Sequence, residues 1–253
     1  AWGDNGAEGN LYTTLLGMQM YAEFTYHGSM EEAWLAQRLR ACCRADAAAF
    51  WDLTAFNKLP GMRSGDMRPV NLAKILLYQD PLVQLFTADL AGYDLAGHYA
   101  ALAPRYRAYA AEGGELAPLW NFYALLADVL AKKCAWHAGA SAVVTGKDRA
   151  AAARLADALP DTIRAVEALR TAWAELWNAT NKPQGFEVID ARLGGVAARL
   201  DTAGRRMRAF AECRCETIPE LAEPALPYLT FPDGALDGCY RVGEIASACK
   251  IDG

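Results

Sequence analysis

A mainly α-helical fold follows from three properties of the chain. Alanine supplies 51 of the 253 residues, while valine and isoleucine together supply 15. That balance favours helix, because alanine loses no side-chain entropy in a helix whereas β-branched residues suit strands. Four long segments, at about 82–111, 115–144, 148–179 and 186–212, read as helices. They are joined by short turns at Glu112-Gly113-Gly114, Thr145-Gly146-Lys147 and Asn181-Lys182-Pro183-Gln184-Gly185, and short connections make consecutive helices antiparallel neighbours in a bundle.

Residues 1–10, AWGDNGAEGN, read as a loop in which an aromatic residue precedes a glycine-rich turn with two carboxylates. An Asn-Gly turn between two elements accounts for this pattern, and so does the rim of a sugar pocket, with Trp2 as an apolar wall and Asp4 and Glu8 as acceptors. Leu11, Leu15, Leu16, Met18, Met20, Ala22 and Phe24 then predict a helix ending near His27-Gly28. Ser29 followed by Glu32 has the form of a capping box, opening a helix through Trp34, Leu35, Leu39 and Cys42. Lys58–Val70, with Pro60, Gly61, Gly65 and Pro69, reads as a loop, and Leu72–Tyr78 as a short extended piece before Asp80-Pro81. The first long helix is expected to break near Gly92, Gly97 or Pro104, and the third to kink or restart at Pro160. Leu155, Leu159, Ile163, Val166, Leu169, Trp173, Leu176 and Trp177 keep helical spacing across that proline and predict a buried stripe. After Cys215 the prolines at 219, 224, 227 and 232 predict a terminal wrap, with a strand at Tyr240–Ile245.

Composition narrows the function. With 30 acidic against 25 basic residues and a net charge of −5, no global basic field exists to hold nucleic acid or an anionic membrane. No apolar run approaches the roughly 20 residues needed to span a bilayer. The seven cysteines lack framework spacing, so free buried thiols and a cytoplasmic location are expected. Neither Cys42-Cys43 nor Cys213-x-Cys215 has the spacing of a zinc site, so no metal or other cofactor is expected. His27, His98 and His137 lie far apart and read as core or surface histidines. Glu187, Asp190 and Arg192 form a polar cluster that reads first as a structural salt-bridge network and second as support for a site.

Three blocks in order carry a family resemblance: Ala1–Glu8, Leu72–Leu82 (LAKILLYQDPL), and Glu175–Gly195, which includes Asn181-Lys182-Pro183-Gln184-Gly185-Phe186. Together they resemble the C-terminal part of bacterial family 20 glycoside hydrolases, the streptococcal-type exo-β-N-acetylglucosaminidases with an all-helical domain after the catalytic barrel. The resemblance implies three regions: residues 1–28 as the last loop and helix of a (β/α)8 barrel, 29–215 as the helical domain, and 216–253 as the wrap. It implies that Trp2 walls the sugar pocket, that Asp4 accepts bonds from sugar hydroxyls, and that Glu8 assists. Related sequences often continue with Cys-Ser where this chain has Gly9-Asn10. The family's substrate-assisted reaction uses a tandem Asp-Glu on an earlier strand. None of the 16 aspartates here is followed by glutamate, so no catalytic residue is expected within the chain, which reads as starting mid-protein and as inactive alone. The implied partners are an N-acetylhexosaminide and a second copy in a homodimer. The competing reading is a stand-alone helical interaction module whose residues 1–28 pack into the bundle; a binding-only sugar module, usually a β-sandwich, does not fit so few strands.

Overall fold

The computed structural model describes residues 9–61, 72–83 and 90–224. Among these the regular structure is helical throughout: α1 (Leu15–His27), α2 (Glu32–Cys43), α3 (Ala47–Trp51), α4 (Leu72–Tyr78), α5 (Leu95–Ala111), α6 (Ala117–Thr145), α7 (Arg149–Thr180) and α8 (Phe186–Ala211). Short 3-10 turns cover Leu11–Thr14, Asp52–Phe56 and Pro219–Ala222. Among the described residues, no helix is long and apolar enough to cross a membrane.

The long helices α6, α7 and α8 begin and end within about two residues of the segments expected from periodicity. Successive long helices pack on one another, α5 on α6, α6 on α7 and α7 on α8. The α7 stripe is core: Leu159, Val166, Leu169, Trp173 and Leu176 are buried, and Leu155, Ile163 and Trp177 pack against them. An aromatic cluster ties the short N-terminal elements to this bundle. Phe56 meets Tyr106 at 5.4 Å and Tyr123 at 5.2 Å, and Phe50 meets Trp120 edge-on at 4.9 Å.

Several expectations are corrected. The run Leu72–Tyr78 is helix, not an extended piece, and six of its seven residues are buried; Leu, Ala and Lys are good helix formers, and Lys133 satisfies carbonyls at its end. Of the breaks expected in the first long helix, the one near Gly92 is present: Gly92 turns the chain at φ +94°, and α5 starts at Leu95, capped by Asp94, which accepts from the Gly97 N–H at 2.8 Å. Gly97 therefore breaks nothing; a Cβ there would lie 2.1 Å from the Asp94 carboxylate. α5 does not end at Pro104 and α7 does not restart at Pro160, since both prolines lie inside continuous helices, so packing overrides the cost of each missing hydrogen bond. The Ser29 capping box is not formed: α2 starts at Glu32 after an uncapped Glu31. Of the described cysteines only Cys134 is buried, although all five are free thiols. The terminal strand expected at 240–245 lies outside the described residues.

Candidate functional site

The three residues expected to bind sugar, Trp2, Asp4 and Glu8, lie outside the described residues. The chain becomes described at Gly9, and the next residue anchors it. Asn10 is buried; its Oδ1 accepts from the Tyr12 N–H at 2.9 Å, capping the 3-10 turn, while Nδ2 donates to Thr180 Oγ1 at 2.8 Å and to the Leu176 carbonyl at 3.5 Å. Asn10, two residues past the first block, is thus clamped onto the C-terminal end of α7, inside the third block. Sequence reasoning treated Gly9-Asn10 only as a departure from related chains. An asparagine directly before a helical start is a capping signal that would have singled it out.

Beside this anchor lies a cavity of about 510 Å³. Gly9 and Thr13 come from the first loop and turn, Ala73, Lys74, Leu77 and Tyr78 from α4, and Trp173 from α7 just ahead of the third block. Phe56, Asn57, Phe122 and Tyr123 complete much of its wall. Segments far apart in sequence therefore converge on one cavity. Among the described residues no carboxylate lines it, so these walls offer binding surface and neutral hydrogen-bonding groups but no general acid.

Behind α4 the second block is held by a buried polar knot. Lys133 on α6, fully buried, donates to the Leu77 carbonyl and, at 3.0 Å, to the Gln79 carbonyl. Its burial holds its pKa down to about 8, although the neighbouring Cys134 and Asp80 pull it upward. Asp80 caps the next turn, accepting from the Leu82 and Val83 N–H groups at 2.8 and 3.0 Å, and pairs with Arg199 of α8 at 2.5 Å. Burial alone would raise the Asp80 pKa; these hydrogen bonds and the guanidinium charge more than offset it, and the carboxyl sits below its usual value. His137 Nδ1 lies 3.5 Å from the Gln79 amide. Burial, and then the nearby Lys133, push the imidazole down to about 3, so it is neutral at pH 7. Lys133 had a legible signal: it continues the apolar stripe Val129, Leu130, Trp136, Ala140 at helical spacing.

The third block is a stapled turn. Trp177 Nε1 donates to the Lys182 carbonyl at 2.8 Å and its ring lies 6.0 Å from that of Phe186. Gly185 adopts φ +98°, and a Cβ on it would lie 3.3 Å from the Trp177 ring. The polar cluster that follows is not one network. Asp190 accepts from Arg170 of α7 at 3.1 Å, Glu187 accepts from the Gly185 N–H at 2.7 Å, and Arg192 lies over the Tyr78 ring at 5.6 Å. Five residues of helix separate Glu187 from Arg192, which turns them to different faces.

The other histidines serve structure: His98 Nε2 contacts the Ala55 carbonyl at 2.7 Å, and His27 is an exposed neighbour of Glu23 and Arg38. Among the described residues no group of three or more His, Cys, Asp or Glu side chains is placed to hold a metal ion.

The family model described as the Glycoside Hydrolase 20C C-terminal domain matches residues 48–238, about three quarters of the chain. No curated protein matches it.

Proposed function

The chain belongs to the Glycoside Hydrolase 20C C-terminal domain family, and from that membership we propose that it is the C-terminal part of a β-N-acetylhexosaminidase, a packing domain joined to the end of the catalytic barrel. The observation that carries the barrel junction is α1. This helix lies ahead of the matched region and buries only Leu16 and Glu23. Glu23 is held to α2 by Arg38 at 2.9 Å. Met18, Tyr21, Phe24 and Tyr26 stay more than half exposed, as does Trp34 of α2. Apolar surface of this extent on one helix calls for a covering body. Helices of a (β/α)8 barrel rest an apolar face on the strands, and the loop before each helix lies at the catalytic end. In this reading α1 is the last barrel helix, and Trp2, Asp4 and Glu8 line the sugar pocket. The acid and the acetamido-orienting aspartate belong to the preceding catalytic domain, in keeping with the absence of an Asp-Glu pair here.

The order of contacts in the bundle supports antiparallel packing. Phe122 meets Trp173 while Trp136 donates to the Leu155 carbonyl, and Arg170 pairs with Asp190 while Arg208 pairs with Asp157. A stand-alone interaction module would pack its first helix into the bundle, and the exposure of α1 counts against it.

The test is kinetic, on the chain joined to its catalytic domain with an aryl N-acetyl-β-glucosaminide. Trp2→Ala and Asp4→Asn each lower kcat/KM by roughly 10- to 1000-fold, the loss expected when a positioning contact is removed. Hydrolysis by the 253-residue chain alone, or unchanged kinetics in both variants, overturns the reading.

A further inference from the structure

We infer that the cavity between Asn57, Tyr123 and Trp173 is a subsite for a neutral pyranose, the sugar on the leaving-group side of the bond that the hexosaminidase would cut. The inference rests on the hexosaminidase reading, and its argument is the chemistry of the walls. A pyranose presents C–H groups on its faces and hydroxyls around its edge, so it is recognised by aromatic surface plus a few neutral donors and acceptors. The volume of about 510 Å³ falls within the roughly 300–1,000 Å³ range of small-molecule sites.

Its polar groups divide cleanly. Thr13 and Thr54 spend their hydroxyls on the carbonyls of Asn10 and Trp51, at 2.7 and 2.8 Å. Asn57 accepts from the Ala73 N–H through Oδ1 at 3.2 Å, which leaves both Nδ2 protons without a partner among the described residues. The Tyr123 hydroxyl is likewise without a partner there, and burial raises its pKa, so it remains a donor at neutral pH. Phe56, Phe122 and Trp173 supply apolar wall. Lys74, the one charged residue among the described lining, is itself engaged. Among the described wall residues an anion would find no guanidinium and a cation no carboxylate, which favours a neutral ligand. Position agrees: Gly9, immediately after the loop proposed to hold the first sugar, is part of the wall.

The experiment is saturation-transfer NMR on the 253-residue chain with N,N′-diacetylchitobiose. Transfer to the sugar protons is expected. Tyr123→Phe and Asn57→Asp each weaken binding by about 5- to 100-fold, the loss when a hydrogen bond to a sugar hydroxyl is removed. Asn57→Asp keeps an oxygen for the Ala73 N–H, and melting temperatures read alongside separate lost binding from lost folding. No transfer, or affinity unchanged in both folded variants, overturns the subsite. Hydrolysis by the barrel-containing enzyme reports separately on the hexosaminidase reading: a chain that binds chitobiose beside an inactive parent leaves the sugar site standing, and an active parent whose helical part binds nothing removes the subsite alone.

Discussion

Lys133, Asp80 and Gln79, buried, and His137, partly buried beside them, show how single polar residues fix a family motif in place. Two backbone carbonyls at the end of α4 would be buried without donors if Lys133 were absent, and each such group costs about 1–3 kcal/mol. Even as a neutral amine, Lys133 retains two protons for those two acceptors. His137 makes the molecule acid-sensitive. Its folded pKa of about 3 lies below the unfolded value of 6.5, so between those limits the unfolded chain binds a proton that the folded chain refuses. Stability therefore falls as pH drops from 6.5 toward 3, by about 1 kcal/mol per pH unit. Asp80, with its pKa lowered, adds a loss that sets in only below its unfolded value of 3.8. Denaturant titrations at pH 7, 5 and 4 should show this slope. The variant His137→Leu should flatten it between pH 6 and 4, and an unaltered slope in a folded variant would place the acid sensitivity elsewhere.

At the level of elements, the turn between α7 and α8 is where local chemistry and packing agree most closely. Gly185 sits at φ +98°, a conformation that side chains strain to adopt, and the Trp177 ring closes the space beside it. Gly185→Ala should cost about 1–3 kcal/mol, seen as a melting temperature lower by about 2–10 °C; an unchanged value would show that the turn can relax. The short helix α4 teaches the opposite lesson. Its seven residues, apolar except for Lys74, fit a buried strand as readily as a buried helix, and only the enclosing α6 and α8 select the helix. Pro160 was legible as a breaker by local rule, yet Ala156, Leu159 and Val166 are buried on either side of it and the helix continues.

On the scale of the molecule, the described structure has a well-buried bundle and one conspicuously uncovered helix. If α1 is the junction with the catalytic barrel, charged substitutions on its exposed face should spare the bundle and damage the joined enzyme. The double variant Met18→Lys, Tyr21→Lys should leave the melting temperature of the chain itself within a few degrees, since exposed positions usually contribute within about 0.5 kcal/mol. In the barrel-containing protein it should lower thermal stability and the yield of active enzyme. Equal behaviour of the double variant and the parent in that setting would show that the face touches nothing there. Charged residues follow the same division: surface pairs such as Arg205–Asp201 decorate the bundle, whereas Arg199–Asp80 ties α8 to the end of α4 through a buried carboxylate.

Composition and periodicity by themselves determined the helical class, the extents of α6, α7 and α8 and the buried stripe of α7, because these depend on residue type and on spacing along one element, while the family was legible through the resemblance of three sequence blocks. Tertiary structure alone decided that Asn10 is clamped to Thr180, that Lys133 meets the carbonyls of Leu77 and Gln79, that the Glu187–Arg192 cluster divides among different partners, and that parts of α4, α7 and the first turn share one cavity. The Lys133 and Asn10 contacts join residues more than fifty and about 170 positions apart. Their energies depend on burial and on which donor meets which acceptor, and neither is written in the local pattern of any one segment.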